Sequence, residues 1–253
     1  MRYALLIEYD GTEYGGWQIQ KNAVTVQEKL TAALQDALGC RVCVTASGRT
    51  DSGVHAAAQV CHFDADTSIP PEKIADALNF RLPEDISVLR SAIAPYGFDA
   101  VNSAKKKTYC YRCYLSPRRR PLKDRYSVWI KYGIDFGKLK RAAEYFCGEH
   151  DFKAYCAAGS QVKTTVRTVY SVRVEISERR GGTDIALYVT GNGFLYNMVR
   201  TLAGTMLYYA AGRLTDADIK RSLETGDRNA VGKTMPANGL TLESVDYGID
   251  LFG

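Results

Sequence analysis

Residues 48–56 concentrate side chains that can do chemistry. Two glycines, Gly48 and Gly53, enclose a guanidinium, a carboxylate and two hydroxyl groups, between segments that we predict to be strands. Loops held by a rigid scaffold commonly carry catalytic residues. The carboxylate of Asp51 and the guanidinium of Arg49 are therefore candidates for a catalytic site. An Asx turn with a neighbouring ion pair is the alternative, and the pattern alone does not decide between them.

Two other enzyme motifs in the chain are incomplete. Asp51-Ser52-Gly53 matches the aspartic-protease triplet, but that chemistry needs two carboxylates sharing a proton, and the chain has no second copy. Residues 226–234 end in Gly-Lys-Thr, as a phosphate-binding loop does. Five residues rather than four separate the two glycines, and a helical pattern precedes them where a strand is required. The sequence favours neither activity.

Two Cys-x-x-Cys pairs raise the question of a zinc site: Cys40 with Cys43, and Cys110 with Cys113. We predict both pairs in strands, where residues three apart point to opposite faces, whereas a zinc knuckle needs thiolates converging from a turn. The sequence therefore favours structural strand cysteines, and we expect no bound metal. An odd total of seven cysteines fits free thiols in a reducing cytoplasm better than a disulfide scaffold.

The basic segment, residues 105–125, is the most highly charged part of the chain. It holds nine basic residues and one acid, so it carries +8, while the rest of the chain sums to −3. Tyr109, Tyr111 and Tyr114 are interleaved with these charges. Cations pair with phosphates and rings stack on bases, so the segment predicts an RNA-binding surface, with a merely solvated edge as the alternative. The candidate phosphate contacts are Lys105, Lys106, Lys107, Arg118, Arg119 and Arg120.

The elements that must position the candidate loop form a βαββαβ unit. Alternating apolar residues predict an opening strand at 3–9. Thr25 and Glu28 form a capping-box pattern before a helix at Val26–Leu38, which Gly39 ends. The other predicted elements of this half are strands at 41–46, 57–63 and 86–94 and a helix at 71–79.

A second set of elements repeats this order after the basic segment. Its predicted strands are 108–115, 169–176, 185–190 and 242–247, and its helices are 136–147 and one beginning at Phe194. Arg200 lies on the latter helix, away from its apolar stripe, where a surface position is the simplest interpretation. We predict an α+β fold of two ferredoxin-like (βαββαβ) halves, 1–103 and 104–253. Their mostly antiparallel sheets would join around a central RNA-binding cleft.

Composition is that of an ordinary globular protein, with 46% hydrophobic and 24% charged residues. No apolar run approaches the ~18 residues of a membrane-spanning helix, and the first residues lack the features of a signal peptide. We therefore expect a cytoplasmic protein without a membrane partner.

Taken together, these segments resemble the bacterial TruA family, the tRNA pseudouridine synthase A family, over essentially the whole chain. The motifs that carry the resemblance include Asp10-Gly11-Thr12, Gly16-Trp17-Gln18, Gly48-Arg49-Thr50-Asp51, Lys107-Thr108-Tyr109 and Met198-Val199-Arg200. The resemblance implies that Asp51 is the catalytic aspartate and that Arg200 pairs with it. It also implies that Tyr109 stacks on the target uracil, and that Arg49 helps to expel or replace the flipped base.

The resemblance further implies a homodimer that acts on tRNA without metal or organic cofactor, at uridines on the 3′ side of the anticodon stem-loop. One departure from the family pattern is Phe98-Asp99-Ala100-Val101, where Phe-His-Ala-Arg is usual, so an apolar residue replaces a cation. A non-catalytic RNA-binding protein is the alternative from another class. The aromatic sheet motif of RNA-recognition modules is absent from the sequence.

Overall fold

The computed structural model describes residues 1–157, 159 and 162–253. The chain divides into two compact units. Unit 1 comprises Met1–Lys107 together with Thr241–Gly253, and unit 2 comprises Thr108–Leu240. The last strand of the chain, which we predicted in the second half, groups with unit 1 because it pairs with a strand there.

The described residues form ten strands and five α-helices. The strands are β1 (Arg2–Tyr9), β2 (Thr45–Ala46), β3 (His55–Asp64), β4 (Ile86–Ile93), β5 (Lys106–Leu115), β6 (Val128–Ile130), β7 (Gly148–Asp151), β8 (Val166–Arg179), β9 (Gly182–Gly191) and β10 (Leu240–Asp246). The helices are α1 (Val26–Leu38), α2 (Ile74–Asn79), α3 (Phe136–Glu144), α4 (Met198–Ala210) and α5 (Asp216–Thr225). Each unit is thus mixed, with a mostly antiparallel sheet and few helices. Within the described ranges, no helix has the length and apolar character needed to cross a membrane.

In unit 1, β3 is a central strand of the sheet. One edge of β3 pairs antiparallel with β1, which in turn pairs antiparallel with β4. The other edge pairs with β2, with Thr45 opposite His62, and runs parallel to β10, with Thr241 opposite His55. His55 is the first residue of β3, so the loop that precedes it emerges from the middle of the sheet rather than from its edge.

Helix α1 begins and ends where the sequence predicts. The Thr25 side chain accepts a hydrogen bond from the Glu28 N–H, and Gly39 ends the helix in a left-handed conformation with φ 67°. Its buried face consists of Val26, Leu30, Ala33 and Leu34. Side-chain caps of this kind contribute about 1 kcal/mol each, so local sequence largely fixes this element.

In unit 2 the strand order is β5-β9-β8-β7, and β6 pairs parallel with β5. Strands β8 and β9 form a long antiparallel hairpin whose tip turns at Gly181, with φ 85°. Helix α4 begins at Met198, four residues later than predicted. Asn197 adopts a left-handed conformation, with φ 61°, and this conformation cannot continue a helix.

Candidate functional site

The candidate catalytic loop, residues 47–54, connects β2 to β3 in unit 1. We call it the Asp51 loop. The Val54 N–H donates to the Asp51 carbonyl at 3.1 Å, which closes a tight turn, and Gly53 within that turn has φ 76°. Thr50 is buried, Asp51 is partly exposed and Arg49 is exposed. A carboxylate on a constrained turn with partial access to solvent is an arrangement suited to chemistry on a bound substrate.

A second loop, residues 10–17, packs against the Asp51 loop through the backbone. The Trp17 N–H donates to the Thr50 carbonyl at 3.1 Å, and the Gly53 N–H donates to the Tyr14 carbonyl at 3.3 Å. A Cβ at Gly11 would lie 2.0 Å from the Val54 oxygen, and one at Gly16 would lie 2.6 Å from the Thr50 oxygen. Both glycines are therefore needed for the two loops to approach this closely.

His55 links the same two loops. Its ring is buried, and Nδ1 lies 3.0 Å from the Gly11 nitrogen and 3.1 Å from Asp10 Oδ1. The Gly11 N–H donates to this ring nitrogen. These contacts connect the end of β1 to the start of β3.

Buried hydrogen bonds fix the first half of the Asp51 loop. Ser47 Oγ donates to Gln59 Oε1 at 2.6 Å, and Gln59 Nε2 donates to the Gly48 carbonyl at 2.9 Å. The Tyr9 hydroxyl lies 2.7 Å from Thr50 Oγ1, and burial raises the pKa of Tyr9 above its ordinary value. Tyr9 therefore remains a neutral hydrogen-bonding partner at any physiological pH, and the backbone on both sides of Arg49 is held in place.

The three lysines at the start of the basic segment have different environments. Lys105 is exposed, and Lys106 lies 3.1 Å from Asp246 in an exposed ion pair. Lys107 Nζ donates to the Ser47 carbonyl of the Asp51 loop, and burial lowers the pKa of this ammonium. We predicted all three as phosphate contacts, whereas the Lys107 ammonium is bound to the protein backbone.

The remaining basic residues of the predicted set lie on a structured part of unit 2. Arg119 pairs with Asp124, which also accepts a 2.6 Å hydrogen bond from the Tyr114 hydroxyl. Arg120 donates to the Arg180 carbonyl at the tip of the β8–β9 hairpin. Arg118 is exposed, and no described residue forms an ion pair or hydrogen bond with its guanidinium.

Of the three interleaved tyrosines, only Tyr109 remains a candidate for base stacking. Tyr111 and Tyr114 are completely buried, and the Tyr111 hydroxyl donates to the Pro236 carbonyl at 3.0 Å. The interpretation of these two rings as stacking platforms is wrong, because both faces of β5 are covered in this region. Tyr109 is also largely buried, but 8% of its surface is exposed, and its ring makes an edge-to-face contact with Phe194 at a centroid distance of 5.3 Å.

Arg200, in the first turn of α4, is partly buried rather than a free surface residue. Its Nε donates to the Met235 carbonyl at 2.7 Å, and its Nη1 donates to Asn197 Oδ1 at 2.6 Å. One turn later, a Cβ at Gly204 would lie 1.8 Å from the Lys233 oxygen. The segment before β10 therefore packs directly on α4 and fixes the guanidinium from one side.

Asp99, which departs from the family pattern, has a local structural role. Its Oδ1 accepts hydrogen bonds from the Asn102 N–H at 2.8 Å and the Val101 N–H at 2.9 Å. These backbone hydrogen bonds lower the pKa of the Asp99 carboxyl. Val101 is 47% exposed, so an apolar side chain lies at the surface position where the family usually has a cation.

The four cysteines of the two Cys-x-x-Cys pairs differ in exposure. Cys110 and Cys113 are buried in β5, and burial raises the pKa of the Cys113 thiol. Cys40 and Cys43 are exposed and precede β2, which is shorter than the predicted strand at 41–46. The described part of the chain contains no group of three or more His, Cys, Asp or Glu side chains arranged to hold a metal ion.

Comparison with known proteins gives a consistent result. A family model described as tRNA pseudouridine synthase matches residues 5–100 and 142–248. The chain is 46% identical to a tRNA pseudouridine synthase A from Ruminiclostridium cellulolyticum, over 96% of this chain and 98% of the relative. It is 45% identical to one from Caldicellulosiruptor bescii, over 98% of this chain and 100% of the relative. The tRNA pseudouridine synthase A of Bacillus subtilis is 42% identical, over 98% of this chain and 99% of the relative.

Proposed function

Because the chain belongs to the tRNA pseudouridine synthase family, we propose that it uses Asp51 as its catalytic carboxylate and acts on uridines of the anticodon stem-loop. The enzyme isomerises uridine in tRNA to pseudouridine. The assignment of Asp51 is supported mainly by the structure of its loop. Two close glycine contacts and a buried hydrogen-bond network hold one partly exposed carboxylate.

The reaction needs a group that acts on the ribose rather than a redox centre or a group donor. The N1–C1′ glycosidic bond breaks, the uracil turns while it stays bound, and its C5 joins C1′. C5 then loses its proton and N1 gains one, so the net reaction is an isomerisation. A single carboxylate suffices, either by adding to C1′ as the uracil departs or by removing a ribose proton to give a glycal-like intermediate. Asp51 serves in either mechanism, and the proposed site uses neither a metal nor an organic cofactor.

Arg200 is proposed as the arginine that pairs with the catalytic aspartate. A neighbouring guanidinium favours the charged form of a carboxyl group, so Asp51 would stay ionised inside a cleft that otherwise disfavours charge. The hydrogen bonds from Arg200 to Met235 and Asn197 support this role, because they limit the orientations of the guanidinium. Such a group needs little reorganisation when the substrate binds.

Tyr109 and Arg49 are proposed to handle the flipped base. A base in a stem or tight loop must leave its stack, at a cost of a few kcal/mol, which stacking on an aromatic side chain offsets. The edge-to-face contact with Phe194 supports Tyr109 in this role, because it holds the ring in one orientation. Arg49 is exposed beside Asp51, as a side chain that expels or replaces the base must be.

We also propose how the chain is divided into halves and how two copies of it assemble. We propose two ferredoxin-like halves in the sequence, 1–103 and 104–253, around a central RNA-binding cleft, in a cytoplasmic homodimer. The second half would contribute its last strand, β10, to the sheet of unit 1. The order of β4, β1, β3 and β2 in unit 1 supports the first half, because α1 and α2 connect these strands as in a βαββαβ unit. Phosphate contacts would come from the exposed members of the basic segment, such as Lys105 and Arg118.

The direct test maps pseudouridine by position in unmodified tRNA transcripts, with wild type beside Asp51→Ala. Product at anticodon-arm uridines with wild type, and none with the variant, would support both the target region and the catalyst. Product only elsewhere in the tRNA would contradict the proposed target region. Salt-sensitive tRNA binding without product from either protein would favour a binding protein in which Asp51 is a turn residue.

A further inference from the structure

Lys107 differs from the other cations of the basic segment in where its ammonium lies. Its Nζ donates a hydrogen bond to the carbonyl of Ser47, four residues before Asp51. The next residue of the loop is also close, since a Cβ at Gly48 would lie 3.2 Å from Nζ. Lys105 and Lys106, directly before it, are exposed.

The position of this cation is not explained by a charge partner. No described carboxylate lies within ion-pair distance of Lys107, and burial alone lowers its pKa. Removing an ammonium from water costs free energy that one hydrogen bond to a carbonyl does not fully recover. A partly buried ammonium that already donates to a carbonyl also has fewer N–H groups left for a phosphate than an exposed one. The environment of Lys107 therefore suits a role in the protein better than a contact with RNA.

The peptide groups that Lys107 reaches are fixed from two sides. Gln59 donates to the Gly48 carbonyl and accepts from Ser47 Oγ, so consecutive residues of the loop are bound by side chains of β3 and β5. Further along the loop, Thr50 is held by Tyr9. Lys107 provides a charged hydrogen bond to the loop backbone before Arg49.

We propose that Lys107 is a positioning residue, which fixes the Asp51 loop through the Ser47 carbonyl, and is not a phosphate contact. This proposal rests on the proposed function, because the loop matters for turnover only if Asp51 is the catalyst. Misplacement of a reacting group by about 1 Å can cost about 100-fold in rate. Loss of the Lys107 hydrogen bond should therefore reduce turnover and leave binding of tRNA largely intact.

The test compares Lys107→Met with Lys105→Met. Methionine keeps an unbranched chain of similar length and removes the ammonium. For Lys107→Met we expect a fall in kcat of about 10-fold to 100-fold, with a Kd for tRNA within about threefold of wild type. For Lys105→Met we expect the loss to appear in binding instead: a weaker Kd and a salt slope reduced by about one. Lys140→Met, on an exposed position of α3, controls for the loss of one positive charge.

Hydrogen exchange without RNA gives a readout that does not depend on activity. The N–H groups of Trp17, Gly53 and Val54 are hydrogen-bonded within or onto the Asp51 loop. They should exchange faster in Lys107→Met than in wild type and at the wild-type rate in Lys105→Met. If wild type formed no pseudouridine, the proposed function would fail while the exchange rates still tested the positioning role.

Two results would overturn the proposal. One is a Lys107→Met protein with wild-type kcat, weaker tRNA binding and a reduced salt slope, because that is the behaviour of a phosphate contact. The other is unchanged exchange at all three amides. Should Lys107→Met fail to fold, Lys107→Gln, which retains a shorter N–H donor, is compared with Lys105→Gln on the same readouts.

Discussion

At the scale of single residues, the Asp51 loop depends on Gly16 in a loop distant in sequence. Gly16 has φ 96°, and a Cβ there would lie 2.6 Å from the Thr50 oxygen, one residue before Asp51. A side chain at this position must both strain its own backbone and displace the catalytic loop. A substitution of Gly16 is therefore expected to lower both the stability of the protein and its activity.

Gly16→Ala should destabilise the protein by about 2–3 kcal/mol and reduce kcat, because it adds a clash to backbone strain. Gly39→Ala is the matched control. It too changes a glycine with positive φ, 67°, but nothing lies within 4 Å of its Cβ, so only about 1 kcal/mol of strain is expected. Urea unfolding and turnover at saturating tRNA measure both variants. Equal losses of stability in the two, with kcat intact in Gly16→Ala, would show that the contact is unimportant.

Tyr109→Ala should lose activity far more than tRNA affinity. Stacking of one base contributes about 1–3 kcal/mol and is formed with the flipped nucleotide, whereas most affinity comes from phosphate contacts. Single-turnover rates and Kd measured by filter binding separate the two effects. Tyr96→Ala, which removes a fully exposed ring from unit 1, should change neither. Equal losses of rate and affinity in Tyr109→Ala would contradict this division of labour.

The residue types in the sequence predicted the Asp51 loop well and the environment of the β5 side chains poorly. Glycines around a carboxylate predict a constrained turn, and such a turn is present. Tyr111, Tyr114 and Lys107 were assigned to RNA from charge and aromatic content. The burial of the two tyrosines and the partial burial of Lys107 follow from packing around β5, which one-dimensional spacing cannot reveal. The contacts that bring residues 10–17 to the loop are likewise tertiary and have no local signal.

At the scale of elements, the basic segment is a folded surface rather than a uniform run of charge. Arg119 is paired with Asp124, Arg120 is bound to the hairpin tip, and Arg118 has no such partner among the described residues. Neighbouring residues of identical type therefore differ in the charge that they can offer to a phosphate. Substitutions of single arginines within the segment can therefore distinguish a guanidinium that is already paired from one that is not.

Arg118→Ala should weaken tRNA binding more than Arg119→Ala does. A free guanidinium that contacts one phosphate contributes about one unit to the dependence of log Kd on log salt. Arg119 must first break its ion pair with Asp124, so its net contribution to the free energy of tRNA binding is smaller. Kd measured at several salt concentrations gives the slope for each variant. A larger loss of slope in Arg119→Ala would show that the Asp124 pair opens when RNA binds.

Elements with strong local signals were predicted well, and short or polar ones were not. Helix α1 has its side-chain cap, apolar face and terminal glycine in the sequence, and its bounds are confirmed. Strands β6 and β7 have three and four residues, too few to show a period of two, and neither was predicted. The start of α4 depends on the left-handed Asn197, a conformation that the residue type permits but does not require.

At the scale of the whole molecule, family membership is secure because similarity extends over nearly the full chain. The linear order of elements suggested two βαββαβ halves, 1–103 and 104–253, with the last strand in the second. The pairing of Thr241 with His55 instead brings β10 to unit 1. A parallel pairing between residues so far apart in sequence leaves no periodic trace, so only the three-dimensional structure reveals it.

Single-turnover pseudouridine formation with Asp51→Asn tests whether Asp51 is the catalytic carboxylate of this tRNA pseudouridine synthase. The amide preserves the size of the side chain and removes the charge and the nucleophilic oxygen. We predict wild-type tRNA affinity and no detectable product, whereas Asp66→Asn, at an exposed position of unit 1, should retain full activity. Wild-type turnover by Asp51→Asn on the same transcript would contradict the mechanism.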